Sequence, residues 1–165
     1  MNLDLAATVT THPRQVLTFV LDGETFALPI DRVREVVEFR GLTRVPRARP
    51  YVRGLLNLRG NVVPVVDLRS KLGMGETPST VDTCVIVVEL ELGARHLIVG
   101  ALADAVREVK TLDDGAPIEG VPEYGLEVPA EFLQGIVRDE DTLLLALEPD
   151  RLFTDVAEAF EDLDA

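Results

Sequence analysis

The chain of 165 residues has no tryptophan, one cysteine and two histidines. A lone cysteine, Cys84, rules out an internal disulfide framework, and its place in an apolar run reads as a small buried hydrophobe of a reducing compartment. His12 and His96 have no Cys or His at metal-ligand spacing, so no metal is indicated. No apolar run is long enough to span a bilayer. Residues 1–14 lack the basic start and apolar block of a signal peptide. Ser70 and Ser79 sit in no nucleophile-elbow context. The glycines at 54 and 60 flank a strand pair and open no long helix, which excludes a phosphate loop. The carboxylates Asp113-Asp114 and Asp139-Glu140-Asp141 read as solvated turns. Nothing remains that points to a catalytic residue or a cofactor, and the chain is read as a cytoplasmic protein that is not an enzyme.

What the chain does have is apolar mass and an uneven charge. Hydrophobic residues make up 47% and charged ones 27%, enough apolar content for a core without staples and too little polarity for disorder. The length suits one compact domain or two lobes sharing a core. The net charge of −13 argues against general nucleic-acid binding. Residues 1–72 carry 11 Lys and Arg against 7 Asp and Glu, whereas residues 73–165 carry 5 against 22. From Arg40 to Val66 there is no acidic residue, but there are arginines at 40, 44, 47, 49, 53 and 59. That stretch reads either as a basic face for an acidic partner or as a solvated loop.

The pattern of elements is β. Residues 1–15 read as a loose tail. Val16–Leu21 is apolar on both alternations, as in a strand buried on both faces. Asp22-Gly23 signals a hairpin returning over Phe26–Ile30. Asp31 is placed to cap a helical turn carrying Val33, and Val36, Val37 and Phe39 read as extended. Leu55–Leu58 and Val62–Val66 form a second hairpin around Gly60-Asn61, and Pro64 suggests an edge strand or a bulge. Asp67 is placed to cap a short helix through Leu72 that Gly73 stops. The pattern then repeats, with Val106–Val109 duplicating the Val-Arg-Glu-Val of Val33–Val36 and Gly135 matching Gly54. Val156, Phe160 and Leu163 lie at helical spacing in a last segment, 154–165. The reading is a mainly β fold: two small barrels of about five strands each, packed together, with short helices and a C-terminal helix.

The most distinctive stretch runs Asn57-Leu58-Arg59-Gly60, then Pro64-Val65-Val66-Asp67-Leu68-Arg69, preceded by Val33-Arg34-Glu35-Val36. Together these resemble the CheW family, the coupling proteins of bacterial chemotaxis, over residues 16 to about 153. The resemblance implies two intertwined, SH3-like, five-stranded barrels, agreeing with the internal repeat, and an adaptor joining chemoreceptor cytoplasmic tips to the regulatory domain of the histidine kinase CheA, with other CheW-like copies as further ring partners. It implies cytoplasmic location at membrane arrays, reached through those partners, with no direct membrane insertion. A chemosensory pathway serving pili or development is the alternative, and a ligand-binding barrel a remoter one.

The resemblance also implies a receptor-binding set: Val33, Glu35, Val36, Gly54, Asn57, Arg59 and Gly60. Glu35 and Arg59 match the family's acidic strand residue and motif arginine. The planar fork of Arg59 suits carboxylates or helix C-terminal carbonyls. Val33 and Val36 would be apolar anchors, or only core. The glycines would allow close backbone approach, or only serve the turn. The second copy, Arg107-Glu108, has no Asn-Leu-Arg-Gly opposite it, which places the groove on the first half. Kinase contact is expected on the apolar surface of the second barrel. In the loop before the last hairpin, Glu119 stands where familiar members carry an Arg, whereas Tyr124 keeps an aromatic.

Overall fold

A computed structural model describes residues 14–112, 118–119 and 128–161. The tail expected over 1–15 lies outside them except for Arg14 and Gln15, which belong to the first strand, and Tyr124 lies outside altogether. Two sheets form. The six-stranded one runs β8-β1-β2-β11-β10-β9 and the five-stranded one β3-β6-β7-β5-β4. The strands are β1 (Arg14–Leu21), β2 (Glu24–Pro29), β3 (Val33–Glu38), β4 (Val52–Leu58), β5 (Asn61–Asp67), β6 (Cys84–Leu92), β7 (Arg95–Ala103), β8 (Ala105–Leu112), β9 (Ile118–Glu119), β10 (Leu133–Asp139) and β11 (Thr142–Leu147). Short helices α1 (Leu68–Lys71), α2 (Pro149–Leu152) and α3 (Thr154–Glu161) complete the described chain.

The doubly apolar strands are explained by three clusters. A shared core between the sheets takes Leu17, Phe19, Leu21, Phe26 and Leu28 from one sheet and Val66, Ile86, Val88, Leu90 and Val99 from the other. Each sheet also curls over a small core of its own. In the six-stranded sheet this is Val16, Ala27, Leu112, Val137, Leu144 and Ala146. In the five-stranded sheet it is Val65, Val85 and Leu102, flanked by Val37, Phe39, Leu42 and Leu56. Successive side chains point to opposite faces of a strand. Leu17 therefore serves the shared core and Val16 the local one, and the same alternation divides Val85 from Ile86 and Leu144 from Leu145.

The internal repeat is structural down to its irregularities. β3 carries a bulge between Val33 and Glu35 against β6, and β8 carries the matching one across Val106–Val109 against β1. The duplicated Val-Arg-Glu-Val is thus a pair of equivalent bulged edge strands. β4 and β10 likewise shift register just before Gly54 and Gly135. The sheets do not follow the sequence halves, however. Hairpin β1–β2 joins β8, β10 and β11, whereas hairpin β6–β7 joins β3, β4 and β5. Each half lends its first hairpin to the other, which is why neither sheet could bury its strands without the whole chain.

Two local expectations are corrected. Asp31 lies inside a 3-10 turn over Ile30–Arg32 that has no side-chain cap, and Val33 already belongs to β3. Pro64 lies neither on an edge strand nor at a bulge, because β5 runs between β7 and β4. Leu55, opposite Pro64, exchanges its N–H and C=O with Thr43, so the Leu55–Pro64 pair is not hydrogen-bonded and the proline nitrogen faces β7. Pairing with β7 begins only at Val65, so no donor is missed there.

Charged side chains pin the sheets together. Arg32, on the crossover from β2 to β3, donates to both Asp150 oxygens of α2 at 3.2 and 2.9 Å. Lys71 of α1 binds Asp155 of α3 at 2.7 Å and lies 4.8 Å from the rings of Tyr51 and Phe132. Tyr51 donates to the same Asp155 carboxylate, and burial, then that carboxylate, pushes its pKa up. Cys84 is buried at the start of β6, and burial raises its thiol pKa. A buried thiol with a raised pKa is a poor nucleophile. Cys84 should therefore resist alkylation in the native protein and react fully in urea, as counted by mass spectrometry.

Candidate protein-docking site

The Asn-Leu-Arg-Gly motif builds a tight turn. Leu58 pairs with Asn61, and the two residues between, Arg59 and Gly60, have φ of 50° and 86°. Positive φ at both central positions is the type I′ hairpin geometry, which glycine adopts freely and arginine does not. Asn57 offsets this: its Oδ1 accepts a hydrogen bond from the Gly60 N–H at 3.1 Å. Asn57 and Gly60 therefore present Arg59, which projects from the turn with its side chain 70% exposed.

Arg59 meets Glu35 of β3 as a fork on a fork. One guanidinium nitrogen donates to Oε1 at 3.2 Å and the other to Oε2. The hydrogen bond from Arg59, reinforced by the charges of Arg59 and Arg34, holds the Glu35 carboxyl below its ordinary pKa, and Glu35 raises that of Arg59. The pair spans the two edges of the rolled sheet. Next to it the chain after β3 closes on β4, where Thr43 and Leu55 exchange backbone hydrogen bonds at 3.0 and 2.7 Å.

That closure explains Gly54. Its φ is +153°, and a Cβ there would lie 2.5 Å from the Thr43 carbonyl oxygen and 2.9 Å from Leu42 Cβ. Gly54 is buried beneath the Thr43–Leu55 bridge. Gly54→Ala should lower stability by at least about 2 kcal/mol through overpacking and backbone strain, measurable by urea unfolding.

The two valines part company. Val33 is half-buried against the shared core. Val36 is 41% exposed on the outer face of β3, and Val62, which pairs with Asn57, is 65% exposed. Val36, next to Glu35 in β3, and Val62, two residues past the turn in β5, are thus exposed apolar side chains. Val62 escaped the sequence reading because it looks like any strand valine; only the outward face of β5 near the turn distinguishes it. Glu119 lies in β9, paired to Ile136 of β10, the position equivalent to the Thr43–Leu55 bridge.

The repeat places a counterpart on the other sheet. Counting from Gly54 and Gly135, Glu140 occupies the turn position of Arg59, with φ of 55°, and Leu143 that of Val62. Val109 matches Val36. Val109 and Leu143 are 51% and 52% exposed. The polarity is inverted: here the cation, Lys110, is on the edge strand and its partner, Asp139, is on the hairpin. Asp139 raises the Lys110 pKa. Among the described residues no group of three or more His, Cys, Asp or Glu could hold a metal ion, and no helix is long and apolar enough to cross a membrane.

The CheW-like domain family model matches residues 15–157. The chain is 31% identical to the chemotaxis protein CheW of Rhizobium meliloti, over 88% of this chain and 90% of that protein. It is 30% identical to Protein PilI of Pseudomonas aeruginosa, over 84% and 78% of the two chains. The crystal structure of the scaffolding protein TtCheW from Thermoanaerobacter tengcongensis superposes with a TM-score of 0.76 at 32% identity, covering 86% of this chain and 88% of that one. Both barrels, the turn that carries Arg59 and the sequence around it fall inside these matches, and the chain belongs to the CheW family of chemotaxis scaffold proteins.

Proposed function

We propose that the chain is a non-enzymatic adaptor that couples the cytoplasmic tips of chemoreceptors to the regulatory domain of the histidine kinase CheA. The observation that carries this reading is the exposed Glu35–Arg59 pair. Exposed ion pairs stabilise folds little, yet here a turn with a left-handed arginine holds one, and Val36 and Val62 on the strands that carry it are exposed. A rigid, half-satisfied arginine beside apolar anchors suits a helical partner that offers carboxylates or terminal carbonyls. The receptor would dock on this face of the five-stranded sheet. The kinase domain would dock on the other barrel, near Glu119 and Tyr124, with further CheW-like copies as ring neighbours. The protein would work in the cytoplasm and reach the membrane only through these partners. The likeness to PilI supports a second reading, the same bridge in a chemosensory pathway serving pili or development.

The test is a pull-down of the purified chain with a receptor-tip fragment and, separately, with the CheA regulatory domain. Binding to both is expected. Binding to neither cognate partner, with the protein folded, would remove the reading.

A further inference from the structure

The first part of the acid-free stretch, residues 40–51, is not absorbed by the Glu35–Arg59 site. It folds into a loop between β3 and β4 with two hydrogen-bonded turns, Ala48 N–H to Val45 at 3.3 Å and Val52 N–H to Arg49 at 2.9 Å. Arg47 holds φ of 63° in it. A non-glycine residue in that region is uncommon and marks a defined conformation. The loop walls a trough of about 630 Å³, floored by Phe39, Leu42, Val45 and Val52 and rimmed by Arg44, Arg47, Arg49 and Arg53, with Glu76 as the one carboxylate on its lining.

The four arginines are not equivalent. Arg53 is committed inward: it donates to Asp67 at 2.9 Å and to the Thr77 carbonyl at 3.1 Å, and it stacks 5.7 Å from the Phe39 ring. Arg49 is exposed. Arg44 and Arg47 are exposed, and neither forms an ion pair among the described residues. In a chain of net charge −13, two arginines with no ion-pair partner among the described residues, over an apolar floor, are a local reversal of sign. The distant acidic surface matters little, because salt screens charges beyond about 8 Å at physiological strength.

We propose that this trough is a second docking site, for a segment of a partner protein in which acidic and apolar residues are interleaved. The apolar floor asks for side chains as well as charge, which a bare anion such as phosphate does not supply. The site is distinct from the Glu35–Arg59 pair: Arg53 is the second residue of β4 and Arg59 follows its end, about 20 Å away along an extended strand. Receptor binding through Arg59 can therefore stand or fall without it.

The experiment is fluorescence anisotropy of the full chain with a short labelled peptide alternating Glu and Asp with Leu and Ala. The wild type should bind, more weakly as salt rises. The R44Q/R47Q/R49Q variant, folded by circular dichroism, should lose about tenfold in affinity, and R44K/R47K, which keeps the charge, should lose less. Should the triple variant fail to fold, Arg47→Gln alone must weaken binding. Equal binding by the arginine variants, or by a peptide with Lys in place of the acids, would overturn the proposal. So would full displacement by inorganic phosphate alone, which would make the trough a simple anion site.

Discussion

Asp67→Ala is expected to lower the unfolding free energy by about 3–5 kcal/mol, a third or so of the 5–15 kcal/mol typical of a domain. Asp67 is fully buried where β5 ends. One carboxylate oxygen accepts from Arg53 and from the Thr77 N–H, both at 2.9 Å. The other accepts from the Thr77 hydroxyl at 2.6 Å and, at 3.4 Å, from the Ser70 N–H that opens α1. Alanine would leave the buried Thr77 donors unpaired and Arg53 without its counter-charge. Leaving buried groups unsatisfied costs more than the net worth of the bonds themselves. Asp67→Asn keeps the shape and one acceptor, so about half the loss should return. Urea unfolding of both variants checks this. An alanine variant within about 1 kcal/mol of wild type would show that the loop at 73–77 closes without the carboxylate.

Arg59→Glu should leave the fold intact and weaken receptor-tip binding by about a hundredfold or more. The chain itself argues that the fold survives: Glu140 occupies the equivalent turn position with the same left-handed backbone. What changes is the surface. Two carboxylates would face each other where a fork-on-fork pair stood, and the partner would meet repulsion in place of a donor. The wild-type pair also sets a pH dependence. Glu35 titrates below the ordinary carboxylate range because Arg59 binds its charged form. A depressed folded pKa means the pair is intact above the unfolded value and is lost as pH falls through the folded one. Docking should therefore be flat from neutral pH down through the usual carboxylate range and decline only below it. Calorimetric titration of a receptor-tip fragment measures both effects; unchanged affinity for Arg59→Glu would make the pair a latch across the sheet and nothing more.

Local signals in the sequence placed the elements well. Asp22-Gly23 carries its turn in its own residues, and the doubled Val-Arg-Glu-Val marked the repeat because the bulge it encodes is local. The second hairpin, read around Gly60-Asn61, turns one residue earlier, at Arg59-Gly60, where Asn57 accepts from the Gly60 N–H. The exchange of hairpins between halves was not legible. It depends on which of two equivalent cores β1 and β6 enter, and both strands are apolar on both faces. Asp67 read as a helix cap, which it is, but a cap and a buried four-bond hub look alike from one residue. Gly54 read as a docking residue and is buried under the Thr43 bridge, since only a long-range contact explains its missing side chain. Val62 was passed over for the opposite reason: it is exposed because it lies beside the turn, at the open end of β5, which no composition records.

The most direct measurement of the central claim is a three-component capture. A receptor-tip fragment is held on a resin and the CheA regulatory domain is offered with and without this chain. The account predicts that the kinase domain is retained only when the chain is present, and that Arg59→Glu abolishes the retention. Retention that ignores the chain, or a chain that binds one partner and excludes the other, would contradict it.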